Sequence, residues 1–182
     1  MTKTPYMSRL AFLFLCFFTP FLGAQTPDQL KALEVHNRER VSLGVSALIW
    51  NKNLEADAKK YADFLAAKEQ FKHSKDLEEL KQGENLYSFH SYTTINNRKR
   101  PNLEPRDYCL DASESWLEEK KDYTYAEIGS RKNRNKVIGH YTQMIWDTTK
   151  EIGIAYSVSK SGKVYVVARY FPSGNWVGEH PY

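Results

Sequence analysis

Once an apolar leader is set aside, this chain holds a single cysteine, and a chain with one cysteine cannot cross-link itself. Lys3 and Arg9 precede the apolar run Leu10 to Phe18, which gives way to Thr19-Pro20-Phe21-Leu22-Gly23-Ala24. A basic start, a short greasy core and a small-residue exit read as a secretory signal peptide over residues 1–24, with cleavage expected after Ala24. The run is shorter than the roughly 18 apolar residues that a membrane span needs, so no transmembrane segment is expected. Cys16 lies inside the leader, which leaves Cys109 alone in residues 25–182. An internal disulfide is thereby excluded, and the fold must rest on packing. A domain of that length buries roughly 68–70 % of its unfolded surface, so one core over residues 25–182 suffices. Tyr108 and Leu110 bring no positive charge to activate the Cys109 thiol, which reads as a packed side chain.

Local signals divide the rest of the chain. Thr26-Pro27-Asp28-Gln29 is a capping box with proline at the first helical position. The helix it opens carries Leu30, Leu33, His36, Asn37 and Val41 and stops near Gly44. Asn51 to Asn53 cap a second helix with Leu54, Ala58, Tyr61 and Leu65 on one stripe. Gly83 to Phe89 reads as a strand. Residues 91–107 are polar, hold Pro101 and Pro105, show no period, and read as a long loop. Asp111 is expected to cap a helix bearing Trp116, Leu117 and Glu119. Ile152, Ile154, Tyr156 and Val158 alternate, as do Val164, Val166 and Ala168 against Tyr165 and Val167, with Ser159-Lys160-Ser161-Gly162 as a hairpin turn. Helices first and a hairpin last imply an antiparallel sheet covered by helices. No internal repeat or second domain is visible.

The formal charge is +4, and Lys3 and Arg9 would leave with the leader. What remains is too weak a balance for nucleic-acid binding. Two basic clusters, Arg98-Lys99-Arg100 and Arg131-Lys132-Asn133-Arg134-Asn135-Lys136, read as solvated loops rather than anionic-surface contacts.

Gly139-His140-Tyr141-Thr142-Gln143-Met144-Ile145-Trp146 is the densest stretch. Tyr141, Met144 and Ile145 share one helical face, and His140 stands at the helix start. Free N–H groups there favour neutral imidazole, which binds a metal or acts as a base. No nucleophile elbow, phosphate loop, dinucleotide glycine set or His-Glu-x-x-His helix occurs. The titratable candidates His73, Glu84, Glu119 and His140 lie on different elements, and spacing does not join them.

The motifs taken together resemble the CAP superfamily: the cysteine-rich secretory proteins, antigen 5 and pathogenesis-related class 1 proteins. In order they are His36-Asn37-x-x-Arg40, His73-Ser74, Gly83-Glu84-Asn85-Leu86 and Trp116-x-x-Glu119 with Tyr123. Gly139-His140-Tyr141-Thr142-Gln143-x-x-Trp146 and Tyr170-x-Pro172-x-Gly174-Asn175 follow. The plant pathogenesis-related type looks nearest. The resemblance implies an α+β fold, a three-layer α-β-α sandwich with a central antiparallel sheet, and a cleft that gathers His73, Glu84, Glu119 and His140. It implies that His73 and His140 hold a divalent metal such as zinc, with Glu84 and Glu119 flanking them. Glu119, not Glu118, has the family spacing from Trp116.

Ile138, Ile154 and Ala168 stand where the plant type carries cysteine, so packing must replace those crosslinks. The resemblance implies a secreted, extracellular protein that binds a lipid- or sterol-like molecule, for which the aromatic segment 87–95 is the expected lining. Two alternatives stand beside it. One is an interaction protein with an extracellular protein partner, or a precursor whose last eleven residues are released as a signalling peptide. The other is a metal-dependent hydrolase. No catalytic residue is assigned.

Overall fold

The computed structural model describes residues 24–90, 92–96, 98–101 and 106–182. The leader expected over residues 1–24 lies outside them, Ala24 apart. Thr26 caps α1 (Pro27–Ser42) through the reciprocal bonds of the capping box. Asn51 caps α2 (Lys52–Lys68) by accepting from Asn53 and Leu54 N–H. Between them lies β1 (Ile49–Trp50). After the short α3 (Leu77–Leu80) come β2 (Gly83–His90), β3 (Tyr92–Ile95) and β4 (Arg98–Pro101). Then follow α4 (Tyr108–Glu118), α5 (Gly139–Met144), β5 (Glu151–Val158) and β6 (Lys163–Phe171).

The main sheet has the order β1-β5-β6-β2. β5, β6 and β2 are antiparallel, and β1 adds a two-residue parallel edge to β5. Side chains of a strand alternate between faces, and here both faces are covered. Ile152 and Ile154 of β5 join Val164, Val166, Ala168 and Tyr170 of β6 in a core built with α1, α4 and α5. Ala155, Tyr165 and Val167 face the other way, against Ala58, Ala62, Leu65 and Ala66 of α2. Three layers follow from that arithmetic. Ile154 and Ala168 are register partners and fully buried, so apolar packing occupies those expected crosslink positions. Cys109 is a buried free thiol.

Gly153 sets the distance of α2 from the sheet. A Cβ there would lie 2.1 Å from the Glu55 amide nitrogen, closer than any side chain tolerates.

Several expectations are corrected. Residues 92–95 and 98–101 are not loop: β3 and β4 form a separate two-stranded hairpin, with Asn96 at φ 49° after β3, while residues 91, 97 and 102–105 of the expected loop lie outside the described residues. β-branched Thr93, Thr94 and Ile95 favour a strand, and asparagine tolerates the left-handed turn. Arg98-Lys99-Arg100 therefore forms part of a strand. Asp111 is no cap: the fourth helix starts at Tyr108, and Asp111 pairs with Arg106 at 2.7 Å. Glu119 lies past that helix, at the head of a 3-10 turn, Glu119–Lys121. Leu30 and Val41 of α1 are exposed. That helix instead buries Gln29, Ala32, Val35, His36, Glu39 and Arg40.

Candidate functional site

Glu84 sits in β2 directly opposite Arg169 of β6, and both side chains are buried. Arg169 Nη2 lies 3.2 Å from Glu84 Oε2. That ion pair neutralises a carboxylate which would otherwise be costly to bury. The other oxygen, Oε1, accepts from the Ser74 amide at 3.1 Å and meets His73 Nδ1 at 2.7 Å. His73 itself stays largely exposed, at the mouth of the site.

A second pair is built from the other side. Glu119 Oε2 accepts from the amides of His140 and Tyr141, at 3.0 and 3.1 Å. A carboxylate thus occupies the free N–H groups that open α5. Its Oε1 meets His140 Nδ1 at 2.6 Å. The Trp116 ring stacks on His140 with centroids 6.2 Å apart and donates its indole N–H to Leu86 O.

The two pairs are joined through β2. Asn85, next to Glu84, donates from Nδ2 to His140 O at 3.0 Å and to Tyr170 Oη at 3.1 Å. Tyr170 lies 2.9 Å from His36 Nε2, and His36 Nδ1 lies 2.8 Å from Ala32 O. A carbonyl only accepts, so His36 carries its proton on Nδ1 and the Tyr170 hydroxyl donates to Nε2. Burial pushes the His36 pKa down to about 4. His36 is therefore a neutral strut behind the site. Its place in a sequence motif marked it, but nothing in the sequence told strut from ligand.

The structure brings His73 to Glu84 and His140 to Glu119, as two pairs. Among the described residues, no three His, Cys, Asp or Glu side chains converge as a metal-binding group. With each Nδ1 on a carboxylate, Nε2 is the ring atom left for a ligand, the arrangement in which carboxylates orient metal-binding histidines.

Beside His73 lies a groove of about 560 Å³, lined among others by Lys60, Tyr61, Phe64, Lys72, Leu80 and Arg169. Tyr61 stacks on Phe64 with centroids 5.7 Å apart, covers the Arg169 guanidinium at 5.2 Å and donates its hydroxyl to Lys72 O. Burial, then nearby Glu84, pushes the Tyr61 hydroxyl up to about 12. Sequence reasoning placed the apolar lining at 87–95. Tyr87 and Phe89 instead pack against the core, with Phe89 5.5 Å from Tyr108. Tyr92 lies outside the described side chains. Tyr61 was visible only as part of the α2 stripe.

An α-β-α sandwich with two carboxylate–imidazole pairs at one end of its sheet defines a class of domain. The chain belongs to the CAP family, the cysteine-rich secretory protein family, whose pattern it matches over residues 33–170. It is 32 % identical over 149 residues to Golgi-associated plant pathogenesis-related protein 1 of Homo sapiens, covering 82 % of this chain and 85 % of that protein. It is 30 % identical to pathogenesis-related leaf protein 4 of Solanum lycopersicum, covering 82 % and 80 %. The fold matches the crystal structure of NaASP2 with Zn2+ at a TM-score of 0.70 and 23 % identity, over 90 % of this chain and 88 % of that one. No described helix is long and apolar enough to cross a membrane.

Proposed function

We propose that the protein is an exported small-molecule binder whose ligand is lipid-like and lies in the groove beside His73. The observation that carries this reading is the stacked Tyr61–Phe64 pair, with Phe64 41 % and Leu80 38 % exposed. Aromatic and aliphatic surface left open in a concave site gains by being covered. Lys60 and Lys72 at the same groove suit a ligand with an acidic head.

Titration with fluorescent fatty acids and sterols tests it. Saturable binding is expected, weakened roughly tenfold by Phe64→Ala, since an aromatic contact of this kind contributes on the order of 1.4 kcal/mol or more. Absence of saturation for every lipid class would move the interaction-protein reading to first place. Export is tested separately by the intact mass of protein recovered outside the cell, which should lack residues 1–24.

A second reading concerns a divalent metal at His73 and His140, favoured by the carboxylates that hold both Nδ1 atoms. Imidazole suits zinc, and a related fold was solved with Zn2+. Two protein nitrogens are fewer than a closed structural zinc site uses, so solvent would complete the shell and affinity would be modest. Such an ion, when bound, would supply a polarised water. Glu84 and Glu119 orient the rings, and no residue is assigned a catalytic role. Calorimetric zinc titration of wild type, His73→Ala and His140→Ala decides the matter: equal affinity in all three removes the site.

A further inference from the structure

By sequence the basic segment Arg131 to Lys136 reads as a solvated loop. The fold sets it beside apolar side chains that the core does not use. Ile128 forms a parallel bridge with Val177. Gly178 N–H donates to Ile128 O at 3.0 Å, and Ile128 N–H donates to Glu179 O at 2.8 Å. Val177 lies over Gly129, its Cγ1 3.4 Å from where a Cβ would stand. The two segments then share one hollow of about 290 Å³, lined by Ile128, Arg134, Lys136, Ile138 and Asn175 among others. Asn175 Nδ2 donates to Gly139 O at 2.8 Å, tying two of its lining residues together.

The side chains around this hollow are unusual for a soluble surface. Val177 is 83 % exposed, Val137 71 % and Trp176 54 %. Exposed apolar residues scattered singly need no explanation, but Val177 packs over Gly129 of the hollow's lining, and Val137 and Trp176 are chain neighbours of its lining residues Lys136, Ile138 and Asn175. Arg134 and Lys136 line the same hollow, Arg131 and Lys132 belong to the same short segment, and all four are exposed. The acids flanking them are Glu127 and Glu179, so cations outnumber acids four to two.

We propose that this face docks on an anionic lipid surface, with Trp176, Val177 and Val137 dipping into the headgroup layer and the four cations meeting lipid phosphates. Tryptophan with a ring of lysine and arginine is the composition that membrane interfaces select. A soluble polyanion would account for the cations but would leave the valines and the tryptophan without a role. The face is separate from the Tyr61–Phe64 groove, so it stands or falls independently of the ligand reading. It adjoins Gly139, the residue before His140, and would bring that end of the cleft towards the bilayer.

Co-sedimentation of protein collected from the medium of cells expressing the full chain tests this. Two vesicles are used: pure phosphatidylcholine, and an equimolar mixture with phosphatidylserine. Binding is expected to the mixture only. It should weaken as salt shortens the screening length from about 10 Å at 0.1 M to about 3 Å at 1 M. The paired change Trp176→Ser with Val177→Ser should weaken binding roughly tenfold. Removing all four cations with Arg131→Gln, Lys132→Gln, Arg134→Gln and Lys136→Gln should weaken it by more, at about fivefold per charge. These side chains are exposed, so melting temperatures should match wild type. Should a variant fail to fold, acyl-brominated phosphatidylserine gives a further reading: it should quench part of the wild-type tryptophan emission, and Trp176→Phe should abolish that quenching, since Trp116 and Trp146 are buried and Trp50 partly so. No quenching, or equal binding to both vesicles, overturns the proposal. Retention on heparin that survives Trp176→Ser with Val177→Ser, without vesicle binding, would also overturn it and make this a polyanion site.

Discussion

His36 carries a prediction about pH. Buried and neutral in the fold, its pKa is pushed down to about 4 by desolvation, whereas an unfolded histidine titrates near 6.5. Between those values the unfolded chain holds a proton that the native state refuses. Stability therefore rises with pH through this window and is lost as pH falls from about 6.5 towards 4. The contribution is on the order of 3 kcal/mol. Urea unfolding across this range should show the slope, and His36→Gln should flatten it while lowering stability at pH 7. Cys109 gives a second prediction. Burial, reinforced by Asp28, pushes its thiol well above the usual range, so the thiolate is scarce. A disulfide reagent at mild alkaline pH should leave Cys109 unlabelled in the native protein and label it after unfolding in guanidinium. Reductant should leave the melting temperature unchanged. A native thiol that reacts within seconds, or a melting point that drops with reductant, contradicts this placement.

Between elements, Arg40 is the main polar tie. It is fully buried on α1 and reaches four carbonyls: Ser46 from Nε, Met144 and Trp146 from Nη1, and Thr149 from Nη2. The last three of those carbonyls end α5 and lead into β5, so one guanidinium joins the first helix to the last. Burial lowers its pKa to about 10, which leaves it charged at neutral pH. Arg40→Met would orphan several buried acceptors at about 1–3 kcal/mol each, so a loss of at least about 3 kcal/mol is expected in urea unfolding. Gly153→Ala should cost a similar amount, about 3 kcal/mol, because its Cβ would meet α2 backbone rather than a movable side chain. A near-neutral Gly153→Ala would mean that α2 can slide outward freely.

Across the molecule, the last eleven residues are bound in rather than trailing. Asp147 N–H donates to Pro181 O at 2.7 Å, and Tyr125 Oη donates to Tyr182 O at 2.6 Å. Gly174 packs on Trp146, where a Cβ would stand 2.4 Å from the ring. Release of this segment as a peptide would therefore require local opening of the base of α5. Limited proteolysis of the native protein should leave residues 172–182 attached at protease levels that digest them in mild denaturant. Rapid release from the native fold would restore the peptide-precursor reading.

The sequence alone determined the elements that local chemistry specifies. Thr26 and Asn51 cap their helices, and strict alternation around Ser159 to Gly162 builds the β5–β6 hairpin. The ordered motifs identified the family and singled out His73, Glu84, Glu119 and His140, which the structure brings together as two pairs. Tertiary structure decided what distance along the chain conceals. The buried face of α1 is polar because Gln29, His36, Glu39 and Arg40 find partners on distant elements, and no periodicity of apolar residues reveals that. β1 needs β5 to exist. His73 and Glu84 meet through a loop and a strand, and His140 and Glu119 through a helix start and a helix end. Those pairings follow from where the sheet and helices pack. So does the meeting of Val177 with Ile128 and Gly129, since residues far apart in sequence become neighbours only once the core between them has closed.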